Sequence, residues 1–510
     1  MTSRDMRVAR DSGRVSTPSS RDCAHVSLLM AALALASCGG LSSHRSGGTE
    51  ATGGTMGTAG TGTAGTGTAG TGTAGTGTAG VKGFAPGKPT EVTASVPAAY
   101  ANFGTTVALS GDTLAVGAPG PVGEAGGDEP SGSTVPVPAV FIYRLNGEDW
   151  AEEAVLTGTN LPAPDPSDAA FATTLALEGD TLVVGAPRQI PPGAPDGSLG
   201  AGSVYVFERS GRAWRLATVL APATYHANQQ FGAALALSQG VLAVADPSDD
   251  GYSGSVALFE RVNGSWVETT VIRAGSPVPG STFGSGVALD RGTLAVAAPG
   301  AAVVHVIEPS PAEWLVGATE ATAQGSFGNR LVLDGDTLVV ASYTESSNAP
   351  GVNGVPGAPY PSDGYFCVNS GAAYVYRRGE NGWAPEAFLK SADPQAQGLF
   401  GWDLALHGDT LLVAERLSDA AGAGYVEPGE PTGGAETRGA VWVFQRAGTS
   451  WSLEGALKSP NGETAFASSV GALAISERFV AVGAFADLTT PVDPSVLATP
   501  YGGGVFVWPW

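Results

Sequence analysis

The chain is poor in charged residues and in the side chains that most often carry out chemistry. Only 14% of its 510 residues are charged, and 25 Lys and Arg stand against 47 Asp and Glu. Histidine occurs five times and cysteine three times. The acidic excess opposes nucleic acid or anionic lipid headgroups as partners. No Gly-x-Ser-x-Gly, HExxH or phosphate-loop motif occurs, so the common signatures of hydrolases, zinc proteases and nucleotide-binding proteins are missing.

Long helical patterns, with apolar residues three and four positions apart, are also missing. Val, Thr, Tyr and Phe instead cluster in short alternating runs, which is typical of β-strands. The 75 glycines and 36 prolines indicate many turns. The sequence therefore predicts an all-β protein.

The N-terminal part is predicted to be a targeting segment. Arginines precede an apolar run at 26–36, too short to span a bilayer, which ends in Leu-Ala-Ser-Cys at Cys38. This ending resembles the bacterial lipobox, so 1–38 is interpreted as a lipoprotein signal peptide and Cys38 as its lipidated residue. The alternative is an ordinary signal peptide with an unrelated cysteine. Gly39 is not the aspartate of inner-membrane retention, so the lipobox resemblance implies a bacterial cell envelope protein, with the outer membrane favoured. The lipid is then its membrane contact.

Two further parts follow the predicted signal peptide. Residues 39–80 are rich in Gly, Thr and Ala, repeat "TGTAG" at 61–80, and are predicted to be a flexible tether. Residues 81–510 are predicted to be the folded domain, with 19 basic and 43 acidic residues and hence a net charge of −24. We expect a monomer. No intramolecular disulfide is expected, because the remaining cysteine of this domain is Cys367.

Seven similar segments occupy the folded domain. Each begins at a Phe and continues as in "FGTTVALSGDTLAVGAP"; the seven are Phe103, Phe171, Phe231, Phe283, Phe327, Phe400 and Phe466. Every copy predicts two strands joined by a tight turn, usually Gly-Asp, and then a third strand such as "VYVFER". Six copies add a fourth strand that begins near a Trp, for which we expect a role in packing between blades. This pattern predicts a β-propeller with seven four-stranded antiparallel blades.

The seventh copy ends after its third strand, at "GGGVFVWPW". The stretch "PTEVTAS" at 89–95 lies before the first copy, where a fourth strand would stand. We therefore expect this N-terminal strand to complete the last blade by pairing with 504–508. Such pairing closes the ring and leaves no bare sheet edge.

The pattern "FG…GDTLAVGAP…GSVYVF" resembles the FG-GAP repeat of integrin α-subunit propellers and of many bacterial envelope lipoproteins. The resemblance implies a propeller fold. Integrin-like repeats carry a calcium loop of alternating aspartates between their first two strands. Here that connection is only Gly-Asp, so calcium is not favoured and no cofactor is expected. Asp246, Asp249 and Asp250 form a partial calcium-like string elsewhere, with a polar loop as the alternative.

Ligand binding is expected on one face of the propeller, where the loops between second and third strands and between blades emerge. Candidate residues on this face are His226, Tyr360, Tyr365 and Tyr425. The function favoured by the sequence is non-enzymatic binding of an extracytoplasmic protein or glycan. Two alternatives stay open: a hydrolase or lyase with a carboxylate-based central site, and a scaffold subunit of an envelope assembly. No catalytic residue is identified.

Overall fold

The computed structural model describes 84–95, 102–120, 137–157, 170–194, 200–226, 229–309, 313–317, 326–347, 349–354, 369–418, 423–427, 439–460, 470–484 and 503–510. The predicted signal peptide, Cys38, the predicted tether, Cys367, Tyr360 and Tyr365 lie outside these ranges. Among the described residues no helix is long and apolar enough to cross a membrane.

The described strands form a seven-bladed propeller of antiparallel sheets, which confirms the predicted fold. Blades 1 to 3 contain β2 (Thr106–Ser110), β3 (Thr113–Ala118), β4 (Ala139–Asn146), β5 (Asp149–Thr157); β6 (Thr174–Glu178), β7 (Thr181–Ala186), β8 (Ser203–Ser210), β9 (Ala213–Leu220); and β10 (Ala234–Ser238), β11 (Val241–Asp246), β12 (Ser255–Val262), β13 (Ser265–Ile272).

Blades 4 to 6 contain β14 (Val287–Asp290), β15 (Thr293–Ala298), β16 (Val303–Ile307), β17 (Glu313–Gly317); β18 (Leu331–Asp334), β19 (Thr337–Ser342), β20 (Ala372–Gly379), β21 (Gly382–Leu389); and β22 (Leu404–His407), β23 (Thr410–Glu415), β25 (Ala440–Ala447), β26 (Ser450–Leu457). A short fifth strand, β24 (Tyr425–Val426), extends blade 6. Helical structure in the described part is limited to single turns at Asp249–Tyr252 and Pro299–Ala301.

Blade 7 is completed from the N-terminal side of the domain, as predicted. It contains β27 (Val470–Ile475), β28 (Phe479–Ala484), β29 (Gly504–Pro509) and, as its outer strand, β1 (Thr90–Val92). Strand β1 runs antiparallel to β29, with Val92 opposite Val505. The inner strands contact one another in ring order, and β27 of blade 7 contacts β2 of blade 1. The ring is therefore closed.

In blades 1 to 6 the signature phenylalanines hold the inner part of the blade to its third strand. Phe171, for example, is buried and meets Tyr205 edge-on at 5.6 Å between ring centroids. In blade 4 the partner is an imidazole, since Phe283 meets His305 at 5.0 Å. This contact explains why a histidine occupies a Val-rich strand.

The fourth-strand tryptophans bridge neighbouring blades, as predicted. Trp214 of blade 2 donates from its indole N–H to Glu153 of blade 1 at 3.2 Å. Trp451 of blade 6 makes the same kind of bond to Glu386 of blade 5 at 2.9 Å. A buried indole that also finds a polar partner anchors both the apolar contact and the blade orientation.

Small residues let the blades approach at the axis. A Cβ added to Gly185 would lie 2.0 Å from the Thr174 hydroxyl and 2.5 Å from the Gly232 carbonyl oxygen. The Thr174 hydroxyl donates to that carbonyl at 2.8 Å, which joins blade 2 to blade 3. In blade 3 the equivalent pair is Ala234 and Ala245, without the hydroxyl. The glycine of the repeat is thus required where the inter-blade threonine is present.

Candidate functional site

A cavity of about 590 Å³ opens on the propeller axis, where the inner strands begin. The described second strands end and the third strands begin at this end, which we call the loop face; the tight hairpins define the opposite hairpin face. All seven blades contribute lining residues, from Thr106 in blade 1 to Leu473 in blade 7. We call this cavity the axial pocket. Its volume lies within the range typical of small-ligand sites.

Each repeat begins with a Phe followed by Gly or Ala. The pairs of residues that come next form much of the pocket wall. In blades 1 to 6 these pairs are Thr105-Thr106, Thr173-Thr174, Ala233-Ala234, Ser285-Gly286, Asn329-Arg330 and Trp402-Asp403. The first four pairs are small or hydroxylated. Blades 5 and 6 instead carry large, charged or aromatic side chains, so one side of the pocket departs from the repeat.

Arg330 and Asp403 form an ion pair across the boundary between blades 5 and 6. The Arg330 Nε lies 3.3 Å from Asp403 Oδ1, and the two side chains are 51% and 16% exposed. The other carboxylate oxygen of Asp403 accepts the backbone N–H of Leu473 at 2.7 Å. Burial raises the pKa of Asp403, while Arg330 and the Leu473 N–H oppose that rise. Asp403 is therefore held by two partners and in turn holds Arg330.

A second arginine reaches the pocket from another side. Arg188 follows β7 and is exposed where it lines the pocket wall. Among the residues that the structure describes, the charged ones in the lining are Arg188, Arg330 and Asp403, two positive and one negative, so this described lining has a formal charge of +1. The whole chain has a net charge of −22. The pocket is thus locally positive in a strongly acidic protein.

An aromatic rim adjoins this charged side. Trp402 lies 5.5 Å from Tyr343 between ring centroids, and the Arg416 guanidinium lies 4.8 Å from the Trp402 ring. Asn329, which lines the pocket, donates from its side chain to the Tyr343 hydroxyl at 3.4 Å. We call Tyr343, Trp402 and Arg416 the aromatic rim.

Buried ionic groups fix the chain segments that carry the rim. Just after Tyr343, Glu345 is fully buried and accepts from Lys390 Nζ at 2.5 Å. Lys390 Nζ also donates to the Ser370 hydroxyl at 2.8 Å and the Gly371 carbonyl at 2.7 Å. A buried ammonium with several oxygen acceptors resists displacement, because breaking the set leaves an unpaired charge.

Blade 6 has a comparable group immediately before Arg416. Glu415 is fully buried and accepts from the Trp442 indole N–H at 2.6 Å. Burial raises the pKa of Glu415 to about 8, against the effect of the Trp442 bond and of the positive charge on Lys458. The segments holding Tyr343 and Arg416 are therefore both tied to the interior.

The aspartates singled out from the sequence lie in a separate cluster in blade 3. Asp249 accepts from Arg273 at 2.6 Å, and His226 Nδ1 lies 4.0 Å from the same carboxylate. His226 itself is 62% exposed on its side chain. Asp250 begins a left-handed stretch at φ 47°.

Asp246 lies next to this cluster. It is buried and accepts backbone N–H groups from Gln230 at 3.0 Å and Ser248 at 3.2 Å. Burial raises the pKa of Asp246 to about 6, with a smaller contribution from Asp249. No group of three or more potential metal ligands is found among the described residues. A metal ion at these aspartates stays a hypothesis.

Tyr425, the remaining described candidate, is engaged by the fold. It lies in β24, where its hydroxyl donates to the Glu454 carbonyl at 2.6 Å and its ring lies 5.9 Å from that of Phe84. Its geometry indicates a packing role at the outer edge of blade 6.

The sequence-based search missed Arg330, Trp402 and Asp403. The available signal was their place in the repeat, at positions that are Thr, Ala, Ser or Gly in blades 1 to 4. A charged or bulky residue at such a position departs from the repeat, and this departure can be read from the sequence alone.

Comparisons with known proteins agree with this architecture. The family described as FG-GAP repeat matches residues 88–134 and 150–207. No curated protein matches the sequence significantly.

Two solved structures show distant likeness. A functionally unknown protein from Desulfotomaculum acetoxidans DSM 771 is 10% identical with a TM-score of 0.39, covering 68% of this chain and 86% of that one. The periplasmic gluconolactonase PpgL from Pseudomonas aeruginosa is 12% identical with a TM-score of 0.36, covering 70% and 85% respectively. Likeness at this level carries no functional argument. The strands and the repeat match together show that this chain folds as a seven-bladed propeller with FG-GAP repeats.

Proposed function

We propose that the protein is a non-enzymatic recognition module of the bacterial cell envelope, anchored through a lipid on Cys38, which binds a protein or glycan ligand in the axial pocket. The anchor rests on the lipobox-like sequence. The binding role rests on the pocket wall. One observation carries it: blades 5 and 6 replace the small residues of the repeat with Arg330 and Asp403 in the pocket wall, and with Trp402 in the adjoining aromatic rim.

The departure from the repeat favours binding because the blades can be joined at these positions without any charged side chain. Blades 1 to 4 assemble with small residues at these positions, and Thr106 and Thr174 even provide inter-blade hydrogen bonds there. In blades 5 and 6 the Arg330–Asp403 ion pair joins the blades and Asp403 accepts from Leu473 of blade 7, yet about half of the Arg330 side chain stays exposed at the pocket. Sites on repetitive scaffolds are commonly formed where side chains of several repeats converge.

A hydrolase or lyase is the second candidate, and one feature favours it. Asp403 is a buried carboxyl group in the pocket with a raised pKa, which is a property of many general acids. Its two oxygens are held by Arg330 and by the Leu473 N–H, which suits a positioning role better. Turnover of a ligand by wild type, lost in Asp403→Asn, would establish the enzyme instead.

The proposal is tested by filling the pocket. Ala233 lines it and is partly exposed, so a larger side chain at this position would enter the space that the ligand needs. We expect detergent-solubilised full-length Ala233→Trp to lose the ligand that wild type captures from envelope extract or on a glycan array. Ala447→Trp is the matched control, because Ala447 is exposed at the hairpin face. Equal capture by wild type and Ala233→Trp would contradict binding in the pocket.

A further inference from the structure

We infer that the axial pocket takes a polyhydroxylated carboxylate, a sugar acid of one or two rings, with Arg330 contacting the carboxylate and Asp403 positioning Arg330. This inference rests on the proposed binding function of the pocket and names the class of its ligand. Three properties carry it: the local charge, the hydrogen-bonding capacity of Arg330, and the state of the wall hydroxyls.

The charge selects an anion. The described part of the lining has a formal charge of +1, from Arg188 and Arg330 against Asp403, whereas the chain as a whole is at −22. A single positive excess inside a concave, partly desolvated site favours one negative charge on the ligand. A cationic ligand would face Arg188 and Arg330 there.

Arg330 has N–H groups without a partner among the described residues, and these can donate to a negatively charged ligand. A guanidinium carries five N–H donors in a planar fork that matches a carboxylate. Among the described residues, Arg330 contacts Asp403 through Nε and the Asn329 carbonyl through Nη1, at 3.3 and 2.9 Å. About half of its side chain remains exposed. Asp403 and Asn329 therefore orient the guanidinium and leave further N–H groups to bind a ligand.

The hydroxyl groups in the pocket wall already donate their protons within the protein, so they can act as hydrogen-bond acceptors for a ligand. Thr105, Thr173 and Ser285 line the pocket, and each donates to a turn carbonyl three residues earlier, at 2.6, 3.0 and 2.8 Å. A hydroxyl that has used its proton keeps lone pairs that can accept. Three such oxygens in the pocket wall suit a ligand that brings several O–H donors. A sugar ring does so, and the aromatic rim adjoins the pocket for its apolar face.

The volume sets the size. A cavity of about 590 Å³ falls in the range that holds small organic ligands. One or two sugar rings fit this range, while a longer chain would extend past the mouth onto the loop face.

The test measures the affinity of the full-length protein for sodium D-glucuronate and D-galacturonate and for the neutral D-glucose and D-galactose, by calorimetry and ligand-observed NMR. We expect both uronates to bind at least tenfold more tightly than their neutral counterparts. Arg330→Gln should remove that preference by weakening uronate binding at least tenfold, with neutral sugars unaffected. Arg261→Gln is the control, since Arg261 is 44% exposed on β12 and pairs with Glu208.

Asp403→Asn tests the positioning role through the ratio of uronate to neutral-sugar affinity, which a general loss of folding would not change. We expect that ratio to fall, because Asn keeps the shape but holds Arg330 less firmly. An unchanged ratio in Asp403→Asn overturns the positioning role. Equal affinity for charged and neutral sugars, no effect of Arg330→Gln, or no uronate binding at millimolar concentration overturns the ligand class.

Failure of the proposed function gives a different result. If uronates bind but Ala233→Trp binds them as well as wild type does, the ligand lies outside the axial pocket and the proposed site is wrong. If uronates do not bind but Ala233→Trp still abolishes capture of an envelope ligand, binding in the axial pocket is supported and only the inferred ligand class is wrong.

Discussion

Gly185 and Thr174 form a coupled pair whose substitution tests how the blades are packed at the axis. Gly185 has a backbone that other residues adopt, so the effect of Gly185→Ala comes from space alone. The added Cβ would lie 2.0 Å from the Thr174 hydroxyl and 2.5 Å from the Gly232 carbonyl oxygen. Something must move, and the inter-blade hydrogen bond between Thr174 and Gly232 is the contact in the way.

The magnitude follows from overpacking and from the lost bond. Inserting a methyl group into a filled site costs roughly 1–3 kcal/mol, and one hydrogen bond contributes about 1 kcal/mol. We expect Gly185→Ala to lower the free energy of unfolding by about 2–4 kcal/mol. Thr174→Ala alone should cost about 1 kcal/mol, because it loses only the bond.

The double variant should be less destabilised than the sum of the two. Thr174→Ala with Gly185→Ala reproduces the natural pair Ala234 and Ala245 of blade 3. Removing the hydroxyl relieves the closer of the two contacts and leaves the Gly232 carbonyl as the remaining one, so we expect a favourable coupling of about 1–3 kcal/mol. Urea denaturation of the full chain, followed by circular dichroism and fluorescence, measures all four free energies.

Gly275→Ala is the control for this cycle. Its Cβ would meet only Glu313 Oε2, at 3.6 Å, so it should be nearly neutral. Additive effects of Thr174→Ala and Gly185→Ala, or a stable Gly185→Ala, would refute the argument that the repeat glycine exists to admit the inter-blade threonine.

Three further predictions concern ring closure, the anchor and a buried carboxyl. Deleting 81–98 should lower the melting temperature and cause aggregation, because it removes β1 and leaves the edge of blade 7 unpaired. Deleting 41–80 should change neither property. Thermal melts and light scattering measure both, and equal behaviour of the two deletions would refute closure by β1. Cys38→Ala should move the protein from the membrane to the soluble fraction. The lipoprotein interpretation is wrong if the variant still sediments with membranes and wild type incorporates no palmitate label. Burial raises the pKa of Glu415 to about 8 in the folded protein, so between about pH 4.5 and 8 this carboxyl ionises only on unfolding. The free energy of unfolding of wild type should therefore fall as pH rises through this range. In urea melts Glu415→Gln should flatten that fall, and parallel pH curves of the two proteins would contradict the prediction.

The blade and its hairpins could be predicted from short stretches of sequence because their causes are local. Alternating residues define each strand, and a left-handed Gly such as Gly111, at φ 55°, allows the tight turn between β2 and β3. Counting strands was enough to predict that 89–95 completes blade 7. An unpaired sheet edge is costly, and 89–95 is a predicted strand that lies before the first repeat copy.

The candidate residues on the loop face stay predictions, and Arg330 and Asp403 were not predicted at all, for a physical reason. His226 and Tyr425 were chosen as polar or aromatic residues in connecting segments, yet the Tyr425 hydroxyl is used by the Glu454 carbonyl. Whether such a side chain is free to bind depends on partners distant in sequence. Arg330 and Asp403 could have been noticed as departures from the repeat, but nothing local says that they meet.

The sequence by itself determined the repeat, the strands and their hairpins, because each depends on residues within one copy. The number of copies in the sequence determined the number of blades. Tertiary structure alone decided which side chains share the axial pocket. Arg330 and Asp403 belong to different blades, and their ion pair at 3.3 Å arises because ring closure directs the start of every inner strand to one axis. The pocket is a property of seven blades in a ring, and no single repeat contains it.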